Sequence, residues 1–68
     1  MISEIDLRDW EQLDDTKLYN VENKTYIKAY DEYFFFDHVD GMYSYCKDMQ
    51  DNIVHLSVFT PVTPLRKK

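Results

Sequence analysis

The Asp40-Gly41 step, which joins the runs YFFFDHV and MYSYC, constrains the fold of this chain more than any other feature of its sequence. Asp-Gly between two segments rich in β-forming residues is typical of a tight hairpin, because both residues of such a turn must tolerate positive φ. We therefore predict an antiparallel hairpin closed by these two residues. Since side chains alternate between the faces of a strand, the turn also determines which residues reach the core.

A two-residue turn at this step predicts a definite register for the hairpin, and a following loop at residues 47–52 would extend that register to the next strand. The predicted cross-strand pairs are Val39–Met42, His38–Tyr43, Asp37–Ser44, Phe36–Tyr45, Cys46–Ile53 and Ser44–His55. The predicted core face carries Phe34, Phe36, His38, Tyr43, Tyr45, Val54, Leu56 and Val58. The opposite face is mixed and carries Phe35, Asp37, Val39, Met42, Ser44, Cys46, Ile53, His55 and Ser57. A shift of one residue would exchange these two faces.

The rest of the chain also has the period of two that is typical of strands. The runs KLYNV, TYIKAY and IVHLSVF are strand-like, and TPVTPL favours a tight turn followed by a short edge strand. We predict a mainly β fold of four or five antiparallel strands, as a small barrel resembling the SH3 architecture or as an open meander. The length allows a single domain, residues 1–68, with its β core at residues 17–65.

Residues 1–15 favour a short acidic helix, with an extended arm as the alternative. Ser3 is a suitable N-cap, and Leu7, Trp10 and Leu13 recur at a spacing of three. Residues 66–68, with the sequence RKK, are predicted to form a basic tail.

The charge distribution argues against direct binding to nucleic acid. The net charge is −5, and residues 1–15 and 31–51 each hold six carboxylates against one basic residue. Such a surface repels phosphates. No apolar run approaches the roughly 18 to 20 residues of a membrane span, and a single cysteine favours a reducing compartment. We therefore expect a cytoplasmic protein that does not enter a membrane.

Catalytic and metal-binding roles are disfavoured by the predicted faces. Asp37, Ser44 and His55 share a row, but a serine in mid-strand has neither the exposed position nor the oxyanion donors that a nucleophile needs. Cys46 and His55 share a face while His38 points away, which leaves too few ligands for zinc. We predict no enzymatic activity, no cofactor and no metal.

The mixed face is instead predicted to bind another protein, since apolar patches with polar rims mark interaction surfaces. The predicted partner-binding residues are Trp10, Phe35, Asp37, Asp40, Met42, Asp48 and His55. An exposed strand edge and an apolar patch would serve a homodimer equally well.

A short acidic chain rich in Tyr, Asp and Lys, with one Gly and a basic end, resembles the small accessory proteins of tailed bacteriophages. The segment DGMYSYCKDMQDNIVHL reads like a hairpin of such a protein. The resemblance implies a host-takeover factor or inhibitor that binds and modulates a bacterial host protein in the host cytoplasm. The thirteen carboxylates allow an alternative function, an acidic nucleic-acid mimic that blocks a DNA- or RNA-binding enzyme.

Overall fold

A computed structural model describes residues 9–68, which form a mainly β fold with an antiparallel sheet of seven strands. The strands are β1 (Trp10–Gln12), β2 (Thr16–Lys17), β3 (Thr25–Ala29), β4 (Glu32–Asp40), β5 (Tyr43–Lys47), β6 (Ile53–Val54) and β7 (Pro61–Lys67), and a 3-10 turn at Leu18–Asn20 follows β2. Their order is β1-β7-β3-β4-β5-β6, and β2 also pairs with β7. The predicted antiparallel β fold is confirmed, although the sheet has more strands than the four or five predicted.

The predicted N-terminal helix is not present in the part of that segment that the structure describes. Residues 10–12 form β1, in which Trp10 pairs with Lys67 and Gln12 pairs with Leu65. Leu13 N then donates to Pro64 O at 2.8 Å. A helix of one or two turns is marginal by itself, whereas the backbone of this segment finds hydrogen-bond partners in β7. The predicted start of the helix, residues 3–8, lies outside the described residues.

Strand β7 was predicted to be an edge strand, but it lies inside the sheet. It pairs with β3 on one side and with β1 and β2 on the other. Pro61 begins the strand, where a missing N–H is tolerated. Pro64 O accepts from Leu13, so the missing N–H of Pro64 falls at the break between β1 and β2. Two prolines are therefore compatible with an interior strand.

The last residues of the chain take part in this pairing. Arg66 and Lys67, which we predicted to lie in a basic tail, belong to β7. Arg66 pairs with Glu11 in the β1–β7 ladder, and its guanidinium Nε donates to the Glu11 carboxylate at 2.6 Å. Lys68 N donates to Asp9 O at 2.9 Å. Both ends of the described chain therefore lie side by side.

The β4–β5 hairpin forms at the predicted place but closes one residue later. Asp40 pairs with Tyr43, so the loop is Gly41-Met42 rather than Asp40-Gly41. Gly41 has φ +66°, and it occupies the first loop position, where a type II′ turn requires glycine. The predicted pairs are wrong, and the observed pairs are Asp40–Tyr43, Val39–Ser44, His38–Tyr45, Phe36–Cys46 and Phe35–Lys47.

A bulge in β4, rather than the later closure of the turn, exchanges the two faces of β5. The register slips by one residue between Phe36 and His38, because β4 carries the extra residue Asp37. Phe34 and Phe36 are therefore buried, as predicted. On β5 the two faces are exchanged: Ser44 and Cys46 are buried, while Tyr43 and Tyr45, predicted for the core, face solvent. His38, also predicted for the core, is exposed for the same reason.

The core is formed by side chains of β3, β4, β5 and β7, the 3-10 turn and the segment after β6. Its cluster of buried residues consists of Leu18, Ile27, Ala29, Phe34, Phe36, Cys46, Leu56 and Val62. The segment after β6 follows β5, since Leu56 O accepts from Ser44 N at 2.9 Å, and then reaches the 3-10 turn, where Val58 O accepts from Tyr19 N at 3.0 Å. Leu56 and Val58 are buried along this path, as predicted.

Strands β3 and β4 are joined by a two-residue turn at Tyr30 and Asp31. Ala29 pairs with Glu32, and the two loop residues have φ of 53° and 61°. Positive φ at both positions is the pattern of a type I′ turn, which favours Asn-Gly. A non-glycine residue in this region is strained, although Asp is among the residues that tolerate it best.

Replacing Asp31→Gly should relieve this strain and raise the free energy of unfolding by about 0.5–1 kcal/mol. Urea unfolding followed by Trp10 fluorescence would measure the change. Gly41→Ala is the matched control, because a side chain at φ +66° should lower stability by a similar amount. An Asp31→Gly variant less stable than the parent would contradict the assignment of a strained turn.

Candidate functional site

The predicted row of Asp37, Ser44 and His55 is not formed. Ser44 is fully buried, and its hydroxyl donates to Leu56 O at 2.9 Å. The Asp37 carboxylate instead accepts from His38 Nδ1 at 2.5 Å. His55 Nδ1 donates to the backbone carbonyl of Ser44 at 3.0 Å. These three side chains therefore make separate contacts and do not form a proton relay.

The predicted pairing of Cys46 with His55 on one face is also wrong, because Cys46 lies in the core and His55 is exposed. Within residues 9–68, no group of three or more His, Cys, Asp or Glu side chains is arranged to hold a metal ion.

The outer surface of the β4–β5 hairpin carries a cluster of rings that continues onto the segment after β6. We call it the hairpin face, and it consists of His38, Asp40, Tyr43, Tyr45 and His55. Tyr43 is 59% exposed and Tyr45 is 37% exposed. Met42, at the turn of the hairpin, is 62% exposed. Asp40, Met42 and His55 were predicted to bind a partner, whereas Tyr43 and Tyr45 were missed because they were assigned to the core.

Tyr45 is the centre of this cluster. The His38 ring stacks on it with a centroid distance of 4.7 Å and an interplanar angle of 18°. The His55 ring meets it edge-on at 4.7 Å and 86°. Both imidazoles are held in turn, His38 by Asp37 and His55 by the Ser44 carbonyl. The ring of Tyr45 therefore has a defined orientation on the surface.

The charges around the hairpin face are mostly acidic. The Asp37 carboxylate is hydrogen-bonded to His38, and Lys47 Nζ lies 3.7 Å from Asp51 Oδ1. Asp40 has no ion-pair partner among the described residues. It lies directly across the strand pair from Tyr43, where Cβ atoms are roughly 4.5–5.5 Å apart. A carboxylate without an ion-pair partner in the described chain thus stands beside the more exposed of the two tyrosine rings.

Trp10 and Phe35, two further predicted partner-binding residues, pack in a separate aromatic row. Tyr26 lies between them, with centroid distances of 5.0 Å to Trp10 and 5.0 Å to Phe35. All three are half-buried. Sequence reasoning did not pair Tyr26 with Phe35, although TYIKAY and EYFFF meet antiparallel through a two-residue turn. The row covers the outer side of the sheet and leaves less ring surface free than the hairpin face.

A second exposed patch, which sequence reasoning missed, lies at the same end of the sheet as the hairpin turn. Tyr19 is 55% exposed and Phe59 is 57% exposed, and their rings meet edge-on at 6.0 Å. Val58 N donates to Met42 O at 3.0 Å, which places this pair next to the hairpin turn. The two exposed patches therefore lie near each other at this end of the sheet.

Asp48, predicted as a rim charge of the binding surface, stabilises the β5–β6 loop. Its Oδ1 accepts from Gln50 N at 2.8 Å and from Asn52 N at 2.9 Å, and its Oδ2 accepts from Asn52 Nδ2 at 3.3 Å. The backbone hydrogen bond from Asn52 is the main reason that the pKa of this carboxyl is lowered. These contacts give Asp48 a structural role that does not depend on a binding partner.

A groove of about 430 Å³ runs beside β7. Its lining residues are Leu13, Asn20, Val21, Glu22, Thr25, Pro64, Leu65 and Arg66. Among the described lining residues are the Thr25 hydroxyl and the Glu22 carboxylate, but no His, Cys or Ser side chain. The described lining therefore offers no imidazole base.

No family model matches this chain, and no curated protein or solved structure matches it either. Residues 9–68 also contain no helix long and apolar enough to cross a membrane. Function must therefore be argued from the geometry of the described surfaces.

Neutralising Asp48 by Asp48→Asn should lower stability at pH 7, and the loss should disappear in acid. Because the folded pKa lies below the ordinary value of 3.8, the stabilisation is present above that value and is lost as pH falls through the folded pKa. Urea unfolding at pH 7 and at pH 2.5 would measure the loss of stability at neutral pH and its disappearance in acid. Glu22→Gln controls for net charge, since Glu22 makes none of the described hydrogen bonds. Equal destabilisation at both pH values would contradict this role.

The Cys46 thiol should resist modification in the native protein. Burial raises its pKa, and the thiol donates to Ser44 Oγ, 3.2 Å away, because the hydroxyl proton of Ser44 is used at Leu56 O. A thiol-reactive dye at pH 8 should therefore react about 10²-fold more slowly with the folded protein than in urea. Cys46→Ala provides the blank. Equal rates in both conditions would show that the thiol is accessible.

Proposed function

We propose that this protein is a small non-enzymatic module that binds another protein through the hairpin face. The observation that carries the proposal is the exposure of Tyr43 and Tyr45 on a hairpin in which His38 and His55 fix the ring of Tyr45. Tyrosine is enriched at the energetic centres of protein interfaces, because it buries a large ring at low cost in side-chain entropy. Exposed rings next to the apolar surface of Met42 make a suitable interface centre, and Asp40 supplies part of a polar rim.

We further propose that the fold is a small barrel of the SH3 type. Strands β3, β4, β5 and β6 follow one another as a meander, and β7 then returns to pair with β3. A tight turn precedes β7, in which Thr60 N donates to Ser57 O at 3.0 Å. This order supports a sheet that curls so that its last strand closes on its first.

The partner class follows from the resemblance to phage accessory proteins. We propose a bacterial host protein as the partner and the host cytoplasm as the place of action. A small acidic binding module is suited to modulating or inhibiting a larger protein, since steering by charge speeds association with a basic surface.

The mimic of nucleic acid remains the competing function, and the ion pairs disfavour it. Glu11 is paired with Arg66, Asp51 with Lys47 and Asp37 with His38. Asp48 is used in the β5–β6 loop. A duplex mimic needs a regular row of free charges, and several of these carboxylates already have internal partners.

The proposal is tested by affinity capture from a bacterial lysate followed by measurement of Kd with the captured protein. Tyr43→Ala should weaken binding by about ten-fold or more, because it removes the more exposed of the two tyrosine rings of the face. Tyr30→Ala is the matched control, since Tyr30 is 70% exposed at the opposite end of β4 and should bind as the parent does.

Two outcomes would overturn the proposal. Capture of no protein that depends on Tyr43, combined with turnover in a panel of hydrolase substrates, would point to an enzyme. Capture of a nucleic-acid-binding enzyme, with binding that competes with DNA and is unchanged in Tyr43→Ala, would establish the mimic instead.

A further inference from the structure

The hairpin face has one exposed ring that its neighbours leave largely uncovered. Tyr45 is engaged by His38 and His55, whereas Tyr43 makes no ring contact among the described aromatic pairs. An uncovered tyrosine ring attracts a cation to its negative face.

Asp40 lies on the neighbouring strand, directly opposite Tyr43. Within the described chain this carboxylate has no ion-pair partner, so its charge is available to a ligand. A ring and a carboxylate at this separation match the two recognition modes of a guanidinium, which stacks on aromatic faces and donates hydrogen bonds to carboxylates. The compact ammonium of lysine cannot stack in this way.

The turn beside this pair is held in place. Met42 O accepts from Val58 N at 3.0 Å, and Gly41 adopts the positive φ that closes the loop. Met42 itself is 62% exposed. Its side chain offers an apolar, polarisable contact for the methylene stem of a long basic side chain.

The charge of the surrounding chain favours the same kind of ligand. Two carboxylates, Asp37 and Asp40, lie in the last four residues of β4 beside the hairpin turn, and the chain carries a net charge of −5. The field at the hairpin face is therefore negative and complementary to a basic segment.

We propose that the hairpin face receives an arginine side chain from a basic segment of the partner, stacked on the Tyr43 ring and paired with the Asp40 carboxylate. The inference rests on the proposed function, because it names the chemistry of the partner at that same surface.

The test uses two capped peptides and the isotope-labelled full chain. The probe is acetyl-Gly-Arg-Gly-Arg-Gly-amide, and the control peptide replaces each arginine with citrulline, which keeps the shape but removes the charge. NMR titration should show shifts at Asp40, Met42 and Tyr43 with the arginine peptide, with a Kd in the millimolar range, and none with the citrulline peptide.

Variants locate the site. Asp40→Asn and Tyr43→Leu should each weaken binding of the arginine peptide by about two- to five-fold. Asp31→Asn and Tyr30→Leu remove the same chemical groups at the other end of β4 and should bind the peptide as the parent does. Circular dichroism would verify that all four variants are folded.

Three results would overturn the inference: shifts spread evenly over the acidic surface, equal binding of the citrulline peptide, or no binding to the parent. Shifts at the same residues on raising the protein concentration alone would assign the face to a second copy of this chain. Failure of the peptide arm alongside a captured partner that depends on Tyr43 would reject the arginine while leaving the proposed function intact.

Discussion

The extra residue that β4 carries at Asp37 determines which side chains of the hairpin reach solvent. Before the bulge, Phe34 and Phe36 point into the core, and after it His38 faces outward. The hydrophobic cost of exposing two phenylalanines, roughly 1.5–3 kcal/mol for each side chain, opposes any register that would turn them outward. The bulge allows both phenylalanines to stay buried while the hairpin turn keeps its own geometry. The ring cluster around Tyr45 is a consequence of that local irregularity.

Local patterns explain why much of the fold was predictable. The period of two in TYIKAY and EYFFF indicated strands, and both runs form them. The position of the hairpin followed from Gly41, because few other residues adopt positive φ without strain. The exact register did not follow, since a glycine serves either in the second position of one turn type or in the first position of another. The bulge depends on core packing, so the sequence of the neighbouring residues carries no signal that predicts it.

Non-local pairing explains what sequence reasoning missed at the N-terminal end and in the candidate site. The acidic segment around Trp10 has a weak helical pattern, but its strand partner lies at the other end of the chain, at Lys67. Tyr43 and Tyr45 were predicted for the core because alternation without a bulge places them on the same face as Phe34 and Phe36. Their exposure became visible only with the register. For the same reason, the separation of Trp10 and Phe35 from the hairpin face was not predictable from alternation alone.

The position of β7 has a consequence for how this protein is made. The strand that joins β1, β2 and β3 is formed by residues 61–67, which leave the ribosome after every other strand of the described chain. Until they emerge, the backbone groups that face β7 in three strands have no partner, and the sheet cannot close. Folding is therefore expected to be completed only after translation of this segment, through contacts between residues far apart in the chain, which are the slowest to form. During synthesis the nascent chain presents unpaired strand edges, the surfaces on which chaperones and neighbouring chains compete.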